Sequence, residues 1–163
     1  MSEVSIQPAT AGDVDVLVDL MAEYYVFDRL PFDAPAARAA LQELLHDASL
    51  GRLWLVVDGE EPAGYAGLTL GYSLEYHGRD AFLDEFYLRA PYRGRGIGTR
   101  VLRFVEEAAR SLGVRALHLE VERSNLRAHV LYRNAGFEGH DRHLLTKRLP
   151  RTSERPPADA LSS

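Results

Sequence analysis

The amino-acid sequence predicts an α/β domain built on a mixed sheet, with elements in the order β-α-α-β-β-β-α-β-α-β-β. Three observations carry that prediction. Short apolar or alternating runs recur between turn residues, at Val4-Ser5-Ile6, Trp54 to Val57, Ala63 to Tyr72, Phe82 to Leu88 and Ala116 to Glu122, which is the pattern of strands. Other segments place apolar residues at helical spacing, most clearly Val101, Leu102, Val105, Ala108, Ala109 and Leu112. The 163 residues, 46% of them hydrophobic, suit one domain with material for a real core.

Each element has a local reason. The first strand ends at Pro8, and Thr10 to Asp13 reads as a variant capping box opening a helix that carries Val14, Leu17, Val18, Leu20, Met21 and Tyr24. Leu30-Pro31-Phe32-Asp33 breaks it, and a second helix follows through Ala36, Ala40, Leu41 and Leu44-Leu45. Asp58-Gly59-Glu60-Glu61-Pro62 is a turn by composition, so the strands on either side form an antiparallel hairpin. Tyr76 to Asp80 turns the chain again into the strand at Phe82, and Gly113 stops the helix that follows. A short helix after Asn125 bears Ala128, Leu131 and Tyr132, and Phe137 to Leu149 holds two last short strands. Residues 1–149 are thus one domain. Residues 150–163, rich in Pro, Ser and charge, read as a disordered tail.

Composition excludes several functions. A formal charge of −5 argues against a general nucleic-acid binder. With no cysteine there is no disulfide framework, no thiolate metal site and no Cys nucleophile. No stretch is long and apolar enough to span a membrane, and the N-terminus lacks a signal peptide's apolar region. A soluble cytoplasmic protein is the expectation. His140-Asp141-x-His143 has metal-capable side chains but no third ligand nearby, so it reads as a solvated turn. Gly71-Tyr72-Ser73-Leu74-Glu75 lacks the closing glycine of a nucleophile elbow.

The chemistry concentrates between Ala81 and Arg110. A strand runs into Arg93-Gly94-Arg95-Gly96-Ile97-Gly98-Thr99 and then into a helix. That geometry aims free backbone N–H groups at an anion. The glycines admit close approach, and Arg93 and Arg95 offer guanidiniums suited to phosphate oxygens. The loop lacks the Lys of a Walker A motif. A dinucleotide fingerprint starting at Gly94 or Gly96 would put Thr99 or Val101 where Gly or Ala is needed.

What fits is Arg-x-x-Gly-x-Gly from Arg93 to Gly98, preceded by Pro91-Tyr92, which resembles the acyl-CoA loop of the GNAT superfamily of N-acetyltransferases. A second motif, Val121-x-x-x-Asn125-x-x-Ala128-x-x-Leu131-Tyr132-x-x-x-Gly136-Phe137, is similar to that family's later signature, and the two occur in the family's order over roughly residues 4–149. The resemblance implies a largely antiparallel central sheet flanked by helices. It also implies acetyl-CoA as donor and direct acetyl transfer to an amine. The pyrophosphate would be held by Arg93 to Thr99, the pantetheine by Phe86, Tyr87 and Leu88, with help from Asn125. Tyr132 is the family-matched acid for the leaving thiolate. Asp84, nine residues before Arg93, is favoured as base and Glu85 is second.

Neighbouring strand residues point to opposite faces, so both acids reach the substrate only if the strand is bulged. Glu85 pairing with a nearby Arg such as Arg79 or Arg89 is an equal reading. Tyr24, Tyr25, Phe27 and Phe32 lie where the family forms its acceptor pocket, and ordinary packing explains them as well. The segment from Phe82 to Gly98 resembles the diamine and polyamine acetyltransferase branch, and Glu75, Asp84 and Glu85 suit a cationic amine. The expected partner is therefore a small-molecule amine, with a homodimer compatible with the family. Two other classes stay open: a CoA-binding sensor without catalysis, and a nucleotide-dependent oxidoreductase using Glu120 or Glu122 for a ribose. Against the second, a dinucleotide loop should follow the first strand, whereas this one follows the fourth.

Overall fold

In a computed structural model that describes residues 3–154, the chain folds around one five-stranded sheet whose order follows the sequence, β1-β2-β3-β4-β5. The strands are β1 (Val4–Pro8), β2 (Gly51–Asp58), β3 (Glu61–Ser73), β4 (Gly78–Leu88) and β5 (Ala116–His118). The first four pair antiparallel, and β5 joins β4 in parallel. The helices are α1 (Val14–Phe27), α2 (Ala34–His46), α3 (Ile97–Ser111) and α4 (Leu126–Asn134). Among the described residues no helix is long and apolar enough to cross a membrane.

Helix starts follow the local chemistry of the chain. Asp13 closes the box expected before α1, its carboxylate accepting from the Thr10 amide at 2.7 Å. Asp33 caps α2 by accepting from the Ala36 amide at 3.1 Å, with Pro35 in the first turn. Such caps satisfy amides that have no partner inside the helix. Apolar stripes then bury the helices on the two faces of the sheet. Leu17, Leu20 and Met21 of α1 and Leu41 of α2 pack with Leu53, Leu55, Val57 and Tyr65. Val101, Leu102, Val105 and Ala109 of α3 pack on the other face with Val56, Ala66, Leu68, Ala81 and Leu83.

Strand β4 departs from regular pairing at the position that matters most. Gly67 pairs with Glu85 and Leu68 with Leu83, so Asp84 is an extra residue in a β-bulge. The bulge resets alternation: Leu83 and Phe86, three apart, pack into the same apolar cluster. It also bends the strand. Pairing between β4 and β5 stops at Phe82 with His118, and beyond that the two strands diverge.

Two expectations change. The strand read from Ala116 to Glu122 ends at His118, because the rest of it has no neighbour to pair with. Phe137 to Leu149, read as two last strands, runs without ladder pairing among the described residues. Leu144, Leu145 and Leu149 of that segment stay exposed, so the alternation there is not matched to a buried face. Of the tail from 150 to 163, Thr152–Glu154 forms a short 3-10 turn and residues 155–163 lie outside the described residues.

Candidate active site

A cleft of about 1590 Å³ opens where β4 and β5 part. Its walls bring together the two motifs separated in sequence. Asp84, Glu85, Phe86, Tyr87 and Leu88 come from β4, Arg93, Gly94, Gly96, Gly98 and Thr99 from the glycine loop and the start of α3, and Asn125, Leu131 and Tyr132 from the second motif. Arg95 and Ile97 of the expected loop are off the wall, Ile97 being buried in the core under α3.

The loop has the form of an anion cradle. Gly94 and Gly96 take φ of +70° and +78°, and a Cβ on Gly96 would meet no atom within 4 Å. That open space lies directly before α3, whose N-terminus carries no side-chain cap. The amides of Ile97, Gly98 and Thr99 are therefore without an intrahelical acceptor, since the helix's own bonding starts with Arg100 N–H donating to the Gly96 carbonyl. At Gly98 the need is different: a Cβ there would stand 3.2 Å from Leu131 Cδ2, so its absence lets α3 dock on α4. Beyond Phe82, the edge of β4 that faced β5 is unpaired backbone, matching the amide-bearing arm of a CoA ligand. The residues present fit acetyl-CoA.

The two arginines of the loop behave differently. Arg93 folds inward, donating from Nε to the Leu88 carbonyl at 2.8 Å, with its guanidinium 4.6 Å from the Phe27 ring centre and 5.5 Å from that of Tyr87. It staples the loop to β4 and α1 instead of standing free for phosphate. Arg95 is exposed over Tyr92. Arg127 of α4 reaches the loop as well, its Nη2 lying 2.6 Å from where a Gly94 Cβ would be. Sequence reasoning missed Arg127, whose only signal was its place one turn before Leu131 in the second motif. Asn125 uses its side-chain carbonyl to cap α4, accepting from the Ala128 amide at 3.2 Å.

The acidic pair sits on the floor of the cleft. Because of the bulge, Asp84 and Glu85 both line it. Asp84 keeps contact with solvent, yet the surrounding walls of the cleft desolvate its carboxyl enough to push it above its ordinary pKa, with no hydrogen bond offsetting the effect. Glu85 is also raised, by burial first and by the charge of Asp84 as well, but two phenols oppose the shift. Tyr25 donates to one carboxylate oxygen at 2.6 Å and Tyr65 to the other at 2.8 Å. The alternative in which Glu85 pairs with Arg89 does not occur: Arg89 is held by Glu23 at 2.7 Å. Sequence reasoning missed Tyr65 too, which is 1% exposed, because nothing local links it to a residue 20 positions on.

Tyr132 stands across the cleft, its ring edge-on to Phe137 at 6.0 Å. Burial first, and the charge of Asp28 second, push its phenol up to about 12. It therefore stays protonated at neutral pH. Tyr24 and Phe27 line the cleft as expected, whereas Tyr25 sits behind Glu85 and Phe32 packs on Tyr25 at 5.3 Å, neither reaching the lining. Glu75 is not on the lining either. Arg142 neutralises it at 2.9 Å and 3.0 Å on an exposed rim. Among the described residues no group of three or more metal-capable side chains converges.

The profile of the acetyltransferase (GNAT) family matches residues 15–137. The chain belongs to this family. Thialysine N-epsilon-acetyltransferase of Bos taurus is 31% identical over 149 residues, covering 85% of this chain and 86% of that protein. The uncharacterized N-acetyltransferase YycN of Bacillus subtilis (strain 168) is 34% identical over 92 residues, a match spanning 56% of this chain and about half, 49%, of YycN. In structure, the integron cassette protein HFX_CASS3 from the mobile metagenome of Cole Harbour Salt Marsh superposes with a TM-score of 0.80 at 40% identity, covering 90% of this chain and 91% of that one. This GNAT protein is an N-acetyltransferase, and its acetyl donor is acetyl-CoA.

Proposed function

We propose that the acceptor is the primary amine of a small cationic molecule, with Asp84 as general base and Tyr132 as general acid. The observation that carries this reading is that an acidic pair and a half-buried, protonated tyrosine line one cleft with the glycine loop. An ammonium group is attracted to the acids, yet it can attack only after losing a proton. Both carboxyls are raised, but only Asp84 has no phenol occupying it, which suits it to take that proton. Acetyl-CoA, when bound, supplies an acyl group on a sulfur leaving group. As the new carbon–nitrogen bond forms and the carbon–sulfur bond breaks, the nitrogen sheds its second proton to water, the electron pair goes to sulfur, and Tyr132 gives the thiolate a proton that it regains from solvent.

A bovine relative named for thialysine, and the acidic floor of the cleft, favour an aminoalkyl group on a short chain, the chemistry shared by thialysine and diamines. The test is acetyl-CoA turnover across thialysine, diamines, polyamines, an aminoglycoside and a peptide N-terminus. Highest kcat/KM on a short aminoalkyl compound is the expected result. Acetylation of the peptide alone would overturn the acceptor class.

A further inference from the structure

We infer that Tyr25 and Tyr65 are positioning residues which hold Glu85 as a fixed anion beside Asp84, so that catalysis uses one mobile and one permanent carboxylate. This rests on the reading of Asp84 as the base. The two hydroxyls reach different oxygens of the same carboxylate, at 2.6 and 2.8 Å. They approach from separate elements, Tyr25 from α1 and Tyr65 from β3. Glu85 is thereby clamped in position, and both donations favour its ionised form. Asp84, the inserted residue of the bulge, has no such clamp. Two adjacent carboxylates in unequal surroundings take different parts. Like charges this close raise each other's proton affinity, as the charge of Asp84 does for Glu85, and the two donors on Glu85 favour it as the partner that stays charged.

The titratable groups that face Glu85 are Tyr24 and Tyr25 of α1, Tyr65 of β3 and Asp84 itself. The nearest arginine along β4, Arg89, is occupied by Glu23. No cation therefore cancels the repulsion between the pair among these neighbours. Both phenols are themselves pushed well above the ordinary tyrosine range, by burial first and by Glu85, so they remain donors across the working pH range.

Such a clamp gives two pH shifts of opposite sign. Tyr65→Phe removes a donor from Glu85, whose anion is then less stabilised, so its carboxyl should titrate about 1 pH unit higher. Glu85→Gln removes the neighbouring charge, so Asp84 should titrate lower. Carboxyl ¹³C NMR titration of the acceptor-free protein reads both midpoints directly. In kinetics, the first proton gains a second place to land in Tyr65→Phe, so the acidic limb of kcat/KM moves up. In Glu85→Gln that limb moves down. Midpoints that stay put, or limbs that move in the same direction, would overturn the inference. A packing role alone would lower thermal stability or the plateau without opposite displacements. If Tyr65→Phe fails to fold, Tyr25→Phe makes the same test on the other oxygen. A limb that survives Asp84→Asn would overturn the base reading, and the NMR midpoints would still decide on the clamp.

Discussion

Tyr132 and Asp84 act through a single proton each, and both roles can be probed with nearly isosteric changes. Tyr132→Phe keeps the ring that packs on Phe137 and removes only the acid. Turnover should fall by roughly 10²–10⁴-fold on an acceptor for which chemistry limits the rate, with acetyl-CoA affinity little changed. Single-turnover kinetics and calorimetric titration check the two halves. Asp84 couples function to stability through its raised carboxyl. A group whose folded pKa is raised stabilises the fold below its unfolded value, near 3.9, and that contribution is lost as pH climbs through the folded value. Asp84→Asn should therefore melt higher than the parent at pH 7–8 and close to it below pH 4, while losing the acidic limb of activity. Thermal scans across pH would register that divergence, and equal melting at all pH values would contradict it.

At the scale of elements, the glycine loop and the bulged strand differ in how much the sequence reveals. The loop was legible because backbone conformation dictates composition there: only glycine adopts the φ of +78° at residue 96 without strain. Gly96→Val should cost about 1–2 kcal/mol in backbone conformation, yet nothing lies within 4 Å of the added Cβ. The protein is expected to fold and to lose the thermal stabilisation by acetyl-CoA, which differential scanning fluorimetry would detect. The bulge was legible only as a condition: Leu83-Asp84-Glu85-Phe86 breaks strict alternation, but only pairing with Gly67 and Leu68 reveals which residue is extra. The hydroxyls on Glu85 were hidden for a related reason, because Tyr25 and Tyr65 are far from it in sequence. The last two expected strands failed differently: their pattern is real, but a strand exists only where a neighbouring edge accepts its hydrogen bonds.

Across the whole molecule, the sheet separates two apolar clusters with different roles. The cluster under α3 includes Leu68, Val101 and Val105, all fully buried, and extends to Leu131 and Tyr132 at the cleft. The other seats α1 and α2 and, through Tyr65, the clamp on Glu85. Leu68→Ala should cost about 2–5 kcal/mol of stability by cavity formation, measurable by urea unfolding. A ligand that binds only the folded chain restores stability by mass action, by about 2.7 kcal/mol at a hundredfold excess over its Kd. Acetyl-CoA should therefore rescue this variant's melting temperature, and NAD should not.

The parting of β4 from β5 after Phe82 and His118 also has a consequence for hydrogen exchange. A sheet's interior amides are normally its slowest, because each is shielded by a neighbour on either side. Here β4 is an interior strand in the sheet order, yet from Asp84 to Leu88 one of its edges faces the cleft. Its amides should split into two populations: those turned toward β3 exchanging slowly, and those turned toward the gap exchanging like a surface loop. Donor binding would close that window from the ligand's side, merging the two rates without any movement of the strand.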